Sequence, residues 1–236
     1  MSNTQTTPEY SDILVSKRWR FFARQRHARL QLAVDAAELD RRPGARVLDL
    51  GCADGIAWPL LRGRVGSLVG VNYDAWLTEQ CRRRNPDEPV LRADARCLPF
   101  AATAFDVIIC LEMFHYLPVG DRAAGIRELY RVLRPAGRLV LTVPIEVGLP
   151  GLLKFVGRCM GGKPYPSASA HAHMLWRRVL YRFVDIREDR RRINFHFNAW
   201  RLRDQLREVF PRVVARRIPF VYPFVTTALF VADKSP

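Results

Sequence analysis

Lysine is scarce in this chain, and acid is short. Only four of the 38 basic residues are lysines (Lys17, Lys154, Lys163 and Lys234), and 23 acids leave a formal net charge of +15 over 236 residues. A GC-rich codon preference accounts for arginine over lysine. It does not account for the missing acids, so affinity for an anionic surface or substrate is expected. No apolar run approaches the roughly 18 residues that a membrane-crossing helix needs. The opening stretch from Met1 to Pro8 is polar and lacks the apolar core of a secretion signal, so a cytoplasmic location is expected. Five cysteines, at positions 52, 81, 97, 110 and 159, show no paired spacing. That argues against a disulfide framework and for reduced, buried thiols. Cys159, His171 and His173 lack an evident fourth ligand, so no metal site is expected. Internal repeats and long low-complexity linkers are absent too.

What is present begins at Val47-Leu48-Asp49-Leu50-Gly51-Cys52-Ala53-Asp54-Gly55, an apolar run that ends in an acid and opens into a glycine-containing turn. Gly51 and Gly55 let the backbone adopt conformations closed to other residues and approach a ligand without a Cβ in the way. Ile56 to Leu61 reads as a helix start, giving the strand, tight turn and helix of a nucleotide-binding α/β unit. Further apolar runs follow at Leu68–Asn72, Pro89–Ala95, Phe105–Glu112 and Gly137–Pro144. They are rich in Val, Ile and Leu without polar alternation, as suits strands covered on both faces. Amphipathic stretches lie between them, notably Asp121–Leu133, with Ile126, Leu129, Tyr130 and Leu133 at helical spacing. Alternating strands and helices predict a parallel sheet that binds its ligand at the carboxyl ends of the strands. Asp49, Asn72, Asp94 and Glu112 all fall at such ends.

These motifs, with Gly70-Val71-Asn72-Tyr73, Ala93-Asp94-Ala95, Glu112-Met113-Phe114-His115-Tyr116-Leu117-Pro118 and the run from Arg127 to Gly137, resemble a class I S-adenosylmethionine-dependent methyltransferase. The group resembled is the broad small-molecule one that includes quinone and lipid methylases. The resemblance covers roughly residues 40 to 145. It implies an α/β, Rossmann-like fold: a seven-stranded, mostly parallel sheet with helices on both faces and a cap inserted after the fifth strand. The expected organisation is an N-terminal helical segment (1–40), a cofactor-binding core (41–145), a substrate cap (146–195) and a closing helix with a strand pair (196–236).

By that resemblance S-adenosyl-L-methionine is the cofactor. Gly51 and the neighbouring backbone would cradle its methionine part, with Asp49 near the ammonium end, and Cys52, Gly55 and Leu111 would join the cofactor-binding residues. Asn72 stands where the family usually has an acid gripping both ribose hydroxyls. Tyr73 would lie against the adenine face, and Asp94 with the Ala95 N–H would read the adenine edge. Ala53 and Ala136 replace commoner glycines, and Asp74 is placed to cap the helix starting at Ala75. Methyl transfer mainly requires alignment of the acceptor and, for a hydroxyl, a base. His115 follows the fourth strand and is the candidate base, against the alternative that it only shapes the pocket wall.

Basic clusters lie at Lys17–Arg29, Arg82–Arg84 and Arg187–Arg192. The middle one closes a predicted helix, where cations complement the dipole. The first carries Trp19, Phe21 and Phe22, and fits either peripheral contact with an anionic membrane or a helix packed on the sheet. Residues 145–192 mix apolar, aromatic and basic segments, as expected of a lid over a hydrophobic acceptor. Asn198 is a reasonable N-cap for a helix from Ala199 to Phe210, and 211–218 with 226–232 form the closing strand pair. The function expected is O-methylation of a small hydrophobic, lipid-linked or saccharide-type acceptor. Two alternatives compete: an RNA methyltransferase using the basic surface, and a non-catalytic scaffold with the same fold. Nucleic acid is the less favoured partner, because the fourth strand lacks an Asn-Pro-Pro-Tyr sequence and no separate RNA-binding module is visible.

Overall fold

The apolar runs become seven strands: β1 (Arg46–Leu50), β2 (Ser67–Asn72), β3 (Val90–Arg92), β4 (Phe105–Leu111), β5 (Leu133–Pro144), β6 (Arg212–Val221) and β7 (Phe224–Asp233). They form one sheet in the order β3-β2-β1-β4-β5-β7-β6 in a computed structural model that describes residues 20–145, 197–221 and 224–236. β1 to β5 pair in parallel, whereas β7 runs antiparallel to both β5 and β6. Helices α1 (Arg20–Asp35), α2 (Ala75–Arg84), α3 (Val119–Val132) and α4 (Ala199–Arg207) complete the described elements. The expected cap at 146–195, with Cys159, His171, His173 and Arg187–Arg192, lies outside the described residues, as does the first basic cluster before residue 20. Among the described residues, no helix is long and apolar enough to cross a membrane.

The lack of polar alternation in the strands has a direct cause. Successive side chains point to opposite faces, and both faces are covered. Leu48, Ile108, Leu139 and Leu141 enter one core with Ile126 and Leu129 of α3 and Leu202 and Leu206 of α4. Val47, Ile109 and Val140 enter the other with Ala33 and Val34 of α1, Cys81 of α2 and Trp58. Burial of each large aliphatic side chain contributes about 1.5–3 kcal/mol, so the two cores dominate the fold's stability.

Local signals set the helix ends. Asp74 caps α2 by accepting a hydrogen bond from the Leu77 N–H at 2.9 Å, and Asn198 caps α4 through the N–H groups of Trp200 and Arg201. Arg82, Arg83 and Arg84 close α2 in its last turn. The helix expected from Ile56 is not formed. Only a 3-10 turn at Trp58–Leu60 appears, because Pro59 brings no N–H and Gly63, at φ 77°, turns the chain away. Ala53 (φ 51°) and Ala136 (φ 57°) adopt left-handed conformations, which favour glycine.

Candidate functional site

The chain leaves β1 outward through β2 to β3, then returns to place β4 on the other side of β1. That reversal opens a crevice at the carboxyl ends of β1 and β4, the general ligand position of such sheets. A cavity of about 870 Å³ lies there. Asp49, Gly51, Cys52, Asn72 and Tyr73 line one side of it, with Asp94, Ala95 and Leu111. Gly55 serves the turn instead: at φ 83° a Cβ would stand 2.5 Å from the Asn85 amide nitrogen.

Gly51 has the same constraint closer to the cavity. Its φ is 78°, and a Cβ there would come within 2.5 Å of the Met113 Cβ. Its N–H is not aimed at the cavity but donates to Val71 O at 2.7 Å, pinning the turn to the end of β2. Asp49 is fully buried, accepts a 2.8 Å hydrogen bond from the Trp58 indole N–H, and has its carboxyl pushed up to about 7 by burial, against the opposing pull of that bond. Trp58 fits only because Gly70 has no side chain, since a Cβ there would lie 2.7 Å from the indole.

Two polar residues expected to face a ligand are engaged by the protein itself. Asn72 accepts from the Ala53 N–H at 2.9 Å and donates to the Ala53 carbonyl at 2.8 Å, closing a two-bond ring around the left-handed residue. Asp94 is held by Arg96 at 2.6 Å, and Arg96 also reaches Asp121 of α3 at 2.8 Å. The Arg96 hydrogen bonds keep the Asp94 carboxyl below its usual range. Tyr73 is 71% exposed and lines the cavity.

The opposite wall was only partly anticipated. Arg29 of α1 donates to the Thr227 hydroxyl of β7 at 3.1 Å, and both line the cavity with Glu112, Tyr116 and Thr142. Burial lowers the Arg29 pKa, and the nearby Glu112 carboxylate opposes that shift. Glu112 has φ 54°, and its N–H donates to Thr142 O at 2.9 Å and Oγ1 at 3.1 Å. Non-glycine residues in this conformation gather at functional sites. In the sequence Arg29 is one more arginine closing a basic cluster, with nothing to connect it to residue 227.

His115 does not join them. It is 5% exposed, its ring sits 4.1 Å from that of Tyr116 and 5.9 Å from that of Phe197, and it is not among the described cavity-lining residues. The ring packs against Tyr116 and Phe197, which agrees with the alternative that it shapes the wall from behind. Cys52, Cys81 and Cys110 are buried as expected, with the Cys52 and Cys81 sulfurs 3.7 Å apart, but Cys97 is exposed on the loop after β3.

Residues 48–141 match a family model described as a methyltransferase domain. A demethylmenaquinone methyltransferase of Corynebacterium kroppenstedtii is 35% identical over 103 residues, covering 44% of this chain and 43% of that protein. A 27-O-demethylrifamycin SV methyltransferase of Amycolatopsis mediterranei is 38% identical over 127 residues, covering 48% and 45%. The chain thus spans less than half the length of these curated relatives. Among solved structures, an S-adenosylmethionine-dependent methyltransferase of Thermotoga maritima superposes with a TM-score of 0.61 at 17% identity, over 94% of this chain and 96% of that one. The [4+2]-cyclase SpnF does so with a TM-score of 0.57 at 16% identity, over 87% and 80%. Such identities show a shared fold alone, and one fold hosts several chemistries. Residues 48–141 thus carry a methyltransferase domain, and the sheet order with its antiparallel seventh strand and the cavity at the β1–β4 reversal are those of the class I S-adenosylmethionine-dependent methyltransferase fold.

Proposed function

We propose that the chain transfers a methyl group from S-adenosylmethionine to an oxygen of a small, largely apolar acceptor. The observation that carries this reading is the cavity itself. At about 870 Å³ it lies in the upper part of the usual range for small-molecule sites, about 300–1,000 Å³, which leaves room for an acceptor beside a nucleoside cofactor. Its lining is mostly apolar, with a few charged groups at defined points. Two named relatives act on a quinone precursor and a rifamycin, which supports the same acceptor class. The 146–195 segment is the proposed cap over the acceptor, and its basic and aromatic content fits peripheral contact with an anionic membrane.

The residues present fit the cofactor. Gly51, at φ 78°, shapes the turn on the cavity wall and makes room for Met113, and the buried Asp49 carboxyl offers a counter-charge to the cofactor's ammonium and sulfonium. Arg29 is the proposed partner of its α-carboxylate, Tyr73 of its adenine face, and Asp94 with Ala95 of its adenine edge. When bound, S-adenosylmethionine supplies a methyl group already activated for displacement. The protein then has to hold the acceptor oxygen in line and take its proton. Glu112 is the proposed proton acceptor, since its carboxylate stands on the cavity wall at the end of β4.

Incubation with methyl-labelled S-adenosylmethionine and a panel of quinols, phenols and hydroxylated lipids tests this reading. The expected result is label in at least one hydroxyl acceptor. Label found only in RNA, or in no acceptor despite tight cofactor binding, would overturn it.

A further inference from the structure

We propose that Asp74 grips the ribose diol of the cofactor, and that Asn72, at the strand end where the resemblance implies an acid, braces the turn instead. The proposal rests on the adenosyl reading above. Asn72 is 3% exposed, and both ends of its amide already face Ala53: the oxygen accepts from the backbone N–H at 2.9 Å and the nitrogen donates to the carbonyl at 2.8 Å. Only a side chain that both accepts and donates closes that ring. A carboxylate would accept from the N–H but repel the carbonyl. The ring surrounds a non-glycine residue at φ 51°, a conformation that persists only where neighbours over-determine it. The amide at residue 72 and the alanine at residue 53 are therefore one device.

That device engages both ends of the Asn72 amide, and two residues further on the chain supplies a carboxylate. Asp74 lines the same cavity and is exposed. One carboxylate oxygen accepts from the Leu77 N–H at 2.9 Å, which fixes the side chain's orientation as the cap of α2. The second oxygen makes no hydrogen bond among the described residues. A carboxylate held in place by one bond and open on its other oxygen suits two adjacent hydroxyl donors, and a charged acceptor binds them more strongly than an amide.

Calorimetry with S-adenosylhomocysteine and its 2′-deoxy and 3′-deoxy analogues tests the assignment. The wild-type chain, Asp74→Ser and Asn72→Ala would be compared, serine being chosen because it retains a helix cap. Removing a hydroxyl is expected to weaken wild-type binding about tenfold or more. In Asp74→Ser the three ligands should bind within about twofold of one another. Asn72→Ala should lower the melting temperature yet keep the wild-type discrimination. Discrimination that survives Asp74→Ser, or that vanishes in Asn72→Ala, overturns the proposal alone. Failure of the wild-type chain to bind S-adenosylhomocysteine at all would overturn the adenosyl reading and the proposal together.

Discussion

The two walls of the cavity are built in opposite ways. Along the ends of β1 to β3 the ligand-facing side chains come from adjacent turns, and the protein holds them: Asp49 by Trp58, Asn72 by Ala53, Asp94 by Arg96. Across the crevice, Arg29, Glu112 and Thr227 come from α1, the end of β4 and β7, and meet only because the sheet brings distant segments together. The first wall is preorganised by short-range contacts. The second depends on the whole fold.

Substitutions can break this contrast. The largest effect is expected from Gly51→Ala, because the added Cβ meets Met113 at a positive φ. Affinity for S-adenosylhomocysteine should fall by more than a hundredfold in calorimetry, whereas an unchanged affinity would remove the turn from the site. Glu112→Gln should lower kcat by about a hundredfold while leaving cofactor affinity within about threefold, in line with loss of a general base. His115→Ala serves as the control and should keep turnover. Should His115→Ala abolish turnover and Glu112→Gln leave it intact, the roles would be exchanged.

Arg29→Met tests the distant wall by ligand choice. Affinity for S-adenosylhomocysteine should drop about 10–100-fold, the size of a charge-assisted hydrogen bond. Binding of 5′-methylthioadenosine, which lacks the amino-acid end, should stay the same. An equal loss for both ligands would mean that Arg29 holds α1 in place rather than the ligand.

Asp49 links the near wall to pH. Its carboxyl is raised from 3.8 to about 7, so the free protein takes up a proton that the unfolded chain would not hold at neutral pH. This contribution to stability is fully present below about pH 4 and is lost as pH rises through about 7, by at most about 4 kcal/mol. Asp49→Asn should therefore melt higher than wild type at pH 8 and no higher at pH 4. Cationic cofactor favours the ionised carboxyl, so wild-type affinity should rise about tenfold from pH 6 to 8. The Asn variant should show a flat profile, and an equally steep one would place the titration elsewhere. The smallest expected effect is Ala136→Gly, which relieves φ 57° and should raise the melting temperature by about 2–4 °C for about 1 kcal/mol.

The near wall was the legible one. Its glycine turn, strand-end acids and the Asp74 cap are signals a few residues long, and local steric rules specify them. What those side chains bond to was less readable. That Asn72 is closed on Ala53 and Asp94 on Arg96 follows from backbone geometry that residue types do not encode. The far wall was nearly invisible, since Arg29 and Thr227 are 198 positions apart. Their meeting depends on the antiparallel insertion of β7 between β5 and β6. His115 shows the same limit: residue type suggests a base, whereas its packing on Tyr116 and Phe197 depends in part on a segment more than 80 positions away. The helix expected after Gly55 failed at Pro59 and Gly63, both of which were legible as breakers.

The most direct test is thermal unfolding of the full chain with and without S-adenosylhomocysteine at one hundred times its dissociation constant, that constant being measured by calorimetry. One-site binding to the folded state predicts about 2.7 kcal/mol of stabilisation and a melting temperature raised by about 5–10 °C. No heat of binding and an unmoved transition at millimolar ligand would contradict an adenosyl site at the β1–β4 crevice.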